Sequence, residues 1–386
     1  MTLPALGRAF PGFSPDEMRR RRQALEAVMA AEGVDVVVLY GANRSGSAVS
    51  WLTGWPVTRE AHVLVTRGEP DVLLVSFFNH VPEARRRAAD ADVRFAGDSP
   101  AATLVELLRA RGSADRPVGL VGSLPHDQYA VLAEGRRILD LSRAHTRLRL
   151  RKSTEEIEAL REAAALTDAS ARALLQPPVI GCTEHELVAR IEAAYVARGG
   201  MHHIHYLGVT PMSAPDRCVP AQWPSSRAVA RGDLLTFELS AAVAPEYSGQ
   251  LLRSVTAGEG PTAQVQELHD VAEAAFAAVV ERLRPGVHAT ELVTAAEVIE
   301  DAGFTTVDDL VHGFGGGYLP PVIGSRSRSI RPTPDMILEA GMTIVVQPNV
   351  ATQDGRLGVQ TGELMLVTEQ GPERLHTFPR GLQTAR

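Results

Sequence analysis

The chain has 386 residues, of which 45% are hydrophobic and 22% charged, and its formal net charge is −7. This length allows two domains with hydrophobic cores, and the acidic balance argues against general nucleic-acid binding. The two cysteines provide neither a disulfide framework nor a thiolate metal site, and no apolar run is long enough to cross a membrane. The N-terminal segment lacks the apolar core of a signal peptide, so we expect a cytoplasmic protein.

Lysine is almost absent from the chain. Of the 39 basic residues only Lys152 is a lysine, and the others are arginines. An arginine side chain stays protonated and is a poor base or amine nucleophile. We expect Lys152 to lie in a linker, so the sequence predicts neither Schiff-base chemistry nor a lysine-anchored cofactor, and no other cofactor is predicted.

The first part of the chain alternates between helical and strand patterns. A charged, alanine-rich stretch over about residues 15–32 has helical apolar spacing, ends at Gly33 and is followed by the apolar run VDVVVLY. Predicted strands AHVLVTR, DVLLVSF and VGLVG follow, with helices predicted over about 81–89, 101–111 and 127–134. This alternation predicts a small α/β domain over residues 1–147.

The second part opens on a long amphipathic helix. Ser153 is its predicted N-cap, and Glu156, three residues later, is its capping-box partner. Further helices are predicted over 184–197, 262–283 and 289–302, and the strand-like segments are LLTFELSAAV, YSGQLLRSVTA, MTIVVQPNV and GELMLVTE. Helices around a mainly antiparallel sheet predict an α+β domain over residues 148–386.

Several ordered segments resemble the pita-bread family, which includes methionine aminopeptidase, aminopeptidase P, prolidase and creatinase. GVDVVVLY followed by WLTGW resembles the first domain of aminopeptidase P and creatinase, and LRKSTEEIEALREAA resembles the first helix of their catalytic domain. GDLLTFELSAAVAPEYSGQLLRSVTAGE, HGFGGGY, MTIVVQPNV and GVQTGELMLVTE occupy the places that carry the metal ligands. The resemblance covers about residues 20–380 and implies a creatinase-type α/β N-terminal domain before a pita-bread domain.

The resemblance also implies a metal centre that this sequence does not reproduce. The metallopeptidases of the family hold two metal ions with two aspartates, one histidine and two glutamates, because hard divalent ions need anionic oxygen ligands. The matching positions here hold, in order, Glu238, Gln250, Gly316, Gln347 and Gly362. Glu363 could replace the last ligand only by a one-residue slide, which would turn its side chain to the opposite face. We therefore predict no catalytic metal.

The polar residues that remain at these positions predict acid–base chemistry. Glu238 is the predicted acid or base, and Gln250 and Gln347 would orient a polar substrate, unless the two amides only pair with each other in a vestigial core. The predicted partner of Glu238 is a histidine. His312, in HGFGG, matches a histidine near the substrate in aminopeptidase P and prolidase, although it could equally cap a strand end.

The segment MHHIHYLGVTP supplies the other histidine candidates. In a regular strand His203 and His205 would face one way and His202 the other, and we predict that His203 or His205 lines the pocket. The cluster also suggests a zinc site, although no acidic residue lies near it in sequence, and a solvated sheet edge is the alternative. The predicted substrate-binding set comprises Gln250, Gln347, Tyr206, Tyr247, Glu363 and Gly316.

Together these features predict a metal-independent enzyme that acts on a small polar substrate, with C–N bond hydrolysis as the expected reaction. The alternatives are a lyase, isomerase or cyclase, a non-catalytic binding protein, and an Xaa-Pro metallopeptidase. The resemblance further implies a homodimer in which the N-terminal domain of one subunit lies near the pocket of the other. We expect a small-molecule substrate and neither a nucleic-acid nor a membrane partner.

Overall fold

The computed structural model describes residues 12–113 and 115–386, which form two compact units, Gly12–Arg149 and Leu150–Arg386. The sequence-based boundary at 147/148 falls just before this division, and the first eleven residues of the predicted N-terminal domain lie outside the described residues. Lys152, which we expected in a linker, is a buried part of the second unit, where its Nζ donates to the carbonyl oxygen of Leu150 at 3.1 Å.

The N-terminal unit is a six-stranded mixed sheet flanked by helices. Its sheet order is β4-β3-β2-β1-β5-β6, in which β1, β2 and β3 pair antiparallel and the remaining pairs are parallel. The elements, besides a 3-10 turn at Phe78–His80, are α1 (Pro15–Ala31), β1 (Val36–Ala42), α2 (Ala48–Thr53), β2 (Glu60–Thr66), β3 (Val72–Val75), α3 (Val81–Arg87), β4 (Asp92–Phe95), α4 (Pro100–Ala110), β5 (Val118–Val121), α5 (His126–Ala133), β6 (Ile138–Asp140) and α6 (Ser142–Leu148).

The C-terminal unit packs helices against a large sheet. Its main path runs β13-β12-β14-β16-β10-β8-β7. The elements are α7 (Thr154–Leu174), α8 (Glu184–Val196), β7 (Met201–Pro211), β8 (Asp233–Ala244), β9 (Tyr247–Ser248), β10 (Leu251–Ala257), α9 (Ala263–Glu281), α10 (Ala289–Ala295), α11 (Val298–Asp301), β11 (Thr305–Thr306), β12 (Val311–Phe314), β13 (Tyr318–Ile323), β14 (Thr343–Val346), β15 (Val350–Ala351), β16 (Gly362–Thr368), β17 (Gly371–Arg374) and β18 (Gln383–Ala385).

The predicted start of α7 is confirmed. The Ser153 hydroxyl accepts from the Glu156 amide at 3.2 Å, and the Glu156 carboxylate accepts from the Ser153 amide at 2.8 Å. This reciprocal pair satisfies two of the amide groups that a helix leaves without partners at its N-terminus. It therefore fixes where the second unit begins its first long helix.

Two predicted elements are divided in the structure. The strand predicted over 247–257 is broken into β9 and β10, because Gly249 lies against α7 so closely that a Cβ there would come within 2.6 Å of the Ala164 Cα. The helix predicted over 289–302 is divided into α10 and α11. Between them the amides of Ala296 and Glu297 bond to carbonyls three residues back, which tightens the chain and interrupts the α-helical ladder.

The sheet of the C-terminal unit has one helix-covered face and one polar face. Phe237 and Leu239 of β8 and Leu251 of β10 pack in one buried cluster with α7 and α8. Side chains alternate between faces along a strand, so Glu238, between Phe237 and Leu239, faces away from these helices. Among the described residues, no helix combines the length and the apolar character that a bilayer crossing requires.

Candidate functional site

The polar face carries a buried network of three side chains, one from β8, one from the residue just before β10 and one from the residue just after β14. Gln250 Nε2 donates to Glu238 Oε1 at 2.7 Å and to Gln347 Oε1 at 3.1 Å. All three residues are buried, at most 7% exposed. The structure thus brings together the carboxyl and the two amides that sequence reasoning placed in one site, and the amides pair with each other as well as with the acid.

Two adjacent carboxyls, Asp308 and Asp309, extend the network from the loop before β12. Gln347 Nε2 donates to Asp309 Oδ1 at 2.9 Å, and Tyr318 Oη donates to Asp309 Oδ2 at 2.7 Å. Sequence reasoning missed this pair. The sequence signal that could have revealed it is a pair of consecutive acidic residues just before an apolar strand, four and three residues before His312.

Burial and the neighbouring carboxyl groups raise the pKa values of Glu238 and Asp308 to different extents. Burial raises the pKa of Glu238 to about 8, and the charges of Asp308 and Asp309 add to the effect. Burial and the hydrogen bond with Asp309 raise the pKa of Asp308 to about 6. At neutral pH Glu238 is therefore mainly protonated while Asp308 is mainly ionised, which supplies one proton donor and one proton acceptor in the same cluster.

His312 lies buried beside this network on β12. Its ring stacks on Tyr318, with 4.4 Å between ring centroids, and its Nδ1 lies 3.3 Å from the Gly313 carbonyl oxygen. Burial lowers the pKa of His312 to about 4, against the opposing effects of the Gly313 carbonyl and the Asp308 charge. The imidazole is therefore neutral at physiological pH and can donate or accept a hydrogen bond but carries no charge.

The histidines of β7 are divided between the two faces differently from the prediction. The pairing of β7 with β8 shifts between His202 and Ile204, so His203 is an extra residue in a β-bulge. As a result His202 and His205, three residues apart, meet with 3.1 Å between their Nδ1 atoms, while the His203 ring contacts the Phe314 ring at 5.7 Å between centroids. The expectation that His203 and His205 share a face is therefore wrong.

Of the β7 candidates, Tyr206 and His203 belong to the polar face. Tyr206 pairs with Glu238 across the sheet, and burial together with the charge of Glu238 raises the pKa of its phenol. His205 instead packs on Tyr195 of α8, with ring centroids 5.4 Å apart. His205 does not lie with Glu238, because the bulge returns it to the helix-covered face.

Three other predicted substrate-binding residues are placed elsewhere. Glu363 pairs with Leu251 across the sheet and is buried on the helix-covered face, where it bonds to Arg253 at 2.5 Å. Its neighbour Gly362 holds the polar-face position, so the one-residue slide does not occur. Tyr247 is buried and donates to the Glu156 carboxylate, and a Cβ on Gly316 would lie 3.2 Å from the Tyr247 hydroxyl. Tyr247 and Gly316 thus form a packing contact near the start of α7.

The residues present do not fit the pair of metal ions that the resemblance implies. At the five ligand positions the structure has a single carboxyl, and the Gln250 NH2 group points at that carboxyl in the place of a cation. Glycine offers no side-chain ligand, and an amide is a weaker ligand than a carboxylate. Within residues 12–113 and 115–386, the compact group of potential metal ligands lies elsewhere and does not include Glu238.

The chain belongs to metallopeptidase family M24, whose model matches residues 158–369, and a creatinase/prolidase N-terminal domain model matches residues 21–151. These matches confirm the predicted fold: a creatinase-type domain followed by a pita-bread domain. A relative named probable dipeptidase PepE, from Mycobacterium tuberculosis, is 28% identical over 294 residues, covering 74% of each chain. The Xaa-Pro dipeptidase of Pyrococcus furiosus is 27% identical over 240 residues, covering 61% of this chain and 65% of its own.

Solved structures agree on the fold. The X-Pro aminopeptidase of Thermotoga maritima superposes with a TM-score of 0.81 at 20% identity, covering 94% of this chain and 99% of its own. The dipeptidase PepE of Mycobacterium ulcerans superposes with a TM-score of 0.80 at 24% identity, covering 97% of this chain and 99% of its own.

These findings correct the predicted function. The family is one of metallopeptidases and the relatives are named dipeptidases and Xaa-Pro dipeptidases, so the prediction of a metal-independent enzyme for a small polar substrate is wrong. They support the Xaa-Pro metallopeptidase that was one of the alternatives. The broader prediction, that the chain is an enzyme of the hydrolase class, is supported, because peptidases are hydrolases.

Proposed function

We propose that this chain is a peptidase that hydrolyses the C–N bond of a dipeptide, with Xaa-Pro dipeptides as its substrate class, at the network of Glu238, Gln250, Gln347, Asp308 and His312. The observation that carries the proposal is the buried chain of hydrogen bonds that joins the Glu238 carboxyl through Gln250 and Gln347 to Asp309, next to Asp308. The names of the relatives supply the substrate class.

The two carboxyls suit the two proton transfers of hydrolysis. Asp308, ionised above a pKa of about 6, accepts a proton from the water that attacks the carbonyl carbon. Glu238, protonated below a pKa of about 8, donates a proton to the nitrogen as the C–N bond breaks. The imino nitrogen of proline leaves as an amine, and the oxygen of the water ends in the new carboxyl group.

The amides and aromatic groups around the carboxyls would position the peptide. Gln250 Oε1 is buried and has no hydrogen-bond partner among the described residues, so it is an acceptor available to an N–H group of the substrate. Tyr206 keeps its phenolic proton, because its pKa is raised, and can donate to a substrate oxygen. We place His312, which is neutral, and His203 beside this network as further hydrogen-bonding groups.

The test is release of free proline from a panel of Xaa-Pro dipeptides, with Xaa-Ala dipeptides as the comparison. Each reaction is run with Mn²⁺, Co²⁺ or Zn²⁺ and after treatment with a chelator, so that the assay also reads any metal requirement. We expect hydrolysis of the Xaa-Pro series. Failure to cleave every dipeptide under all of these conditions would refute the proposal.

The matched variants are Glu238→Gln and Glu369→Gln. The first removes the donated proton at almost constant size, and we expect kcat to fall by about 10²–10⁴-fold. The second changes an exposed glutamate of the same domain and should leave kcat unchanged. Circular dichroism checks whether both variants keep the fold, and wild-type kcat in Glu238→Gln would remove this residue from the mechanism.

A further inference from the structure

A second cluster of potential metal ligands lies on the opposite, helix-covered face of the same sheet. Glu192, His202 and His205 each offer one ligand atom, and these atoms all lie within 4.8 Å of one another. Glu192 comes from α8, and the two histidines come from the start of β7. His205 pairs with Leu239, which packs with the helices, so the cluster is separate from the network around Glu238.

Two of the three spacings between these atoms are close to the edge lengths of a small coordination polyhedron. Zinc bonds to nitrogen and carboxylate oxygen are about 2.0–2.2 Å long, so ligand atoms of a tetrahedral site lie roughly 3.3–3.6 Å apart. The two Nδ1 atoms of His202 and His205 are 3.1 Å apart, and His205 Nδ1 is 3.7 Å from Glu192 Oε1. Small adjustments therefore bring all three atoms within bonding distance of one ion.

The cluster also combines one buried ligand with one that solvent can reach. His205 is buried, at 6% exposed. Tyr195, fully buried beneath it, holds the ring in place. Glu192 is about half exposed, which gives a metal ion a route from solvent.

We propose that Glu192, His202 and His205 form a zinc site that ties α8 to β7. Two imidazoles and one carboxylate leave a fourth position for water, as in zinc sites with three protein ligands. The bulge at His203 creates the site, because without the extra residue His202 and His205 would face opposite sides of the sheet. The alternative is a plain imidazole–imidazole hydrogen bond, which requires no ion.

The experiment measures zinc binding to the full chain, freed of any purification tag, by titration calorimetry, and site geometry by the visible absorption of the Co²⁺ form. We expect one zinc ion per chain at this site and tetrahedral Co²⁺ bands. Since loss of an outer-shell partner alone costs about 10–100-fold in affinity, His202→Ala should weaken binding by about 100-fold or more and abolish the Co²⁺ bands. Glu192→Gln should weaken binding in the same direction.

The matched control is His185→Ala, which removes an exposed histidine from the same helix and should leave the zinc affinity unchanged. The two ligand variants affect exposed side chains, so at least one is expected to keep the fold, as circular dichroism will verify. The absence of stoichiometric zinc in the wild type, or equal affinities in wild type and both ligand variants, would overturn the proposal. These readouts do not depend on peptidase activity.

Discussion

The buried ion cluster around Glu363 permits a sharp test of the strand register. Glu363 is fully buried and bonds to Arg253 at 2.5 Å, to Arg374, and more distantly to Arg380 at 3.8 Å. Arg253 is itself only 1% exposed. Replacing Glu363 with glutamine keeps the size of the side chain and leaves the buried guanidinium of Arg253 without its counter-charge.

Removal of one partner from a buried ion pair costs about 3–5 kcal/mol, because the remaining charge stays in a poorly solvating environment. For a domain of this size about 1 kcal/mol corresponds to 2–4 °C, so Glu363→Gln should lower the melting temperature by roughly 6–20 °C. The control Glu373→Gln removes a half-exposed pair with Arg161, which is worth about 1 kcal/mol at most.

The pH dependence of this effect has a definite sign. Burial alone would raise the pKa of Glu363, but the hydrogen bond from Arg374 and the charge of Arg253 outweigh it and hold the pKa below its ordinary value. The stability that this group contributes is therefore present above its unfolded-state pKa of about 4.3 and lost as the pH falls through the lower folded-state pKa. The difference in the free energy of unfolding between wild type and Glu363→Gln should therefore become smaller in that acidic range.

For wild type and both variants, urea unfolding monitored by circular dichroism gives the free energy of unfolding, and dipeptide hydrolysis gives KM. If Glu363→Gln were no less stable than Glu373→Gln but raised KM, Glu363 would face the substrate, and the register of β16 described above would be refuted.

Three further predictions concern the network around Glu238 and the packing. A plot of kcat/KM against pH should be bell-shaped, with its limbs at about pH 6 and 8, because Asp308 must be ionised and Glu238 protonated. Asp308→Asn should remove the fall in kcat/KM on the acidic side, and a wild-type profile without pH dependence would contradict the reasoning. Asp168→Asn should lower stability by about 1–3 kcal/mol in urea unfolding, because this buried carboxylate accepts from four groups of the 376–378 segment. Gly249→Ala should destabilise the protein in a thermal melt, since its Cβ would press on α7, whereas Gly260→Ala, which has open space, should not.

The sequence was sufficient to place Glu238, Gln250 and Gln347 in one site, because neighbouring strands of a known family arrangement carry them. It also located the start of α7, since the Ser153–Glu156 pair is a local signal that depends on four consecutive residues. Local patterns and ordered motifs of this kind survive folding with little change.

Other features depend on contacts that no local pattern reports. A two-residue period cannot reveal the extra residue at His203, so the faces of the β7 histidines were assigned wrongly. Asp308 and Asp309 resemble an ordinary solvated turn in the sequence, and only the fold shows that Gln347, which follows β14, donates to Asp309. The break at Gly249 likewise arises from the close approach of α7, which lies about eighty residues away in the chain.

The amide network described above has a direction. Gln250 uses its NH2 group toward both Glu238 and Gln347, and Gln347 uses its own toward Asp309, so reversing either amide would set oxygen against oxygen. In this arrangement Glu238 Oε1 accepts a hydrogen bond from the Gln250 NH2 group. The ionisable proton of Glu238 is therefore confined to Oε2, and the network determines not only whether the carboxyl holds a proton but from which of its two oxygens that proton can leave.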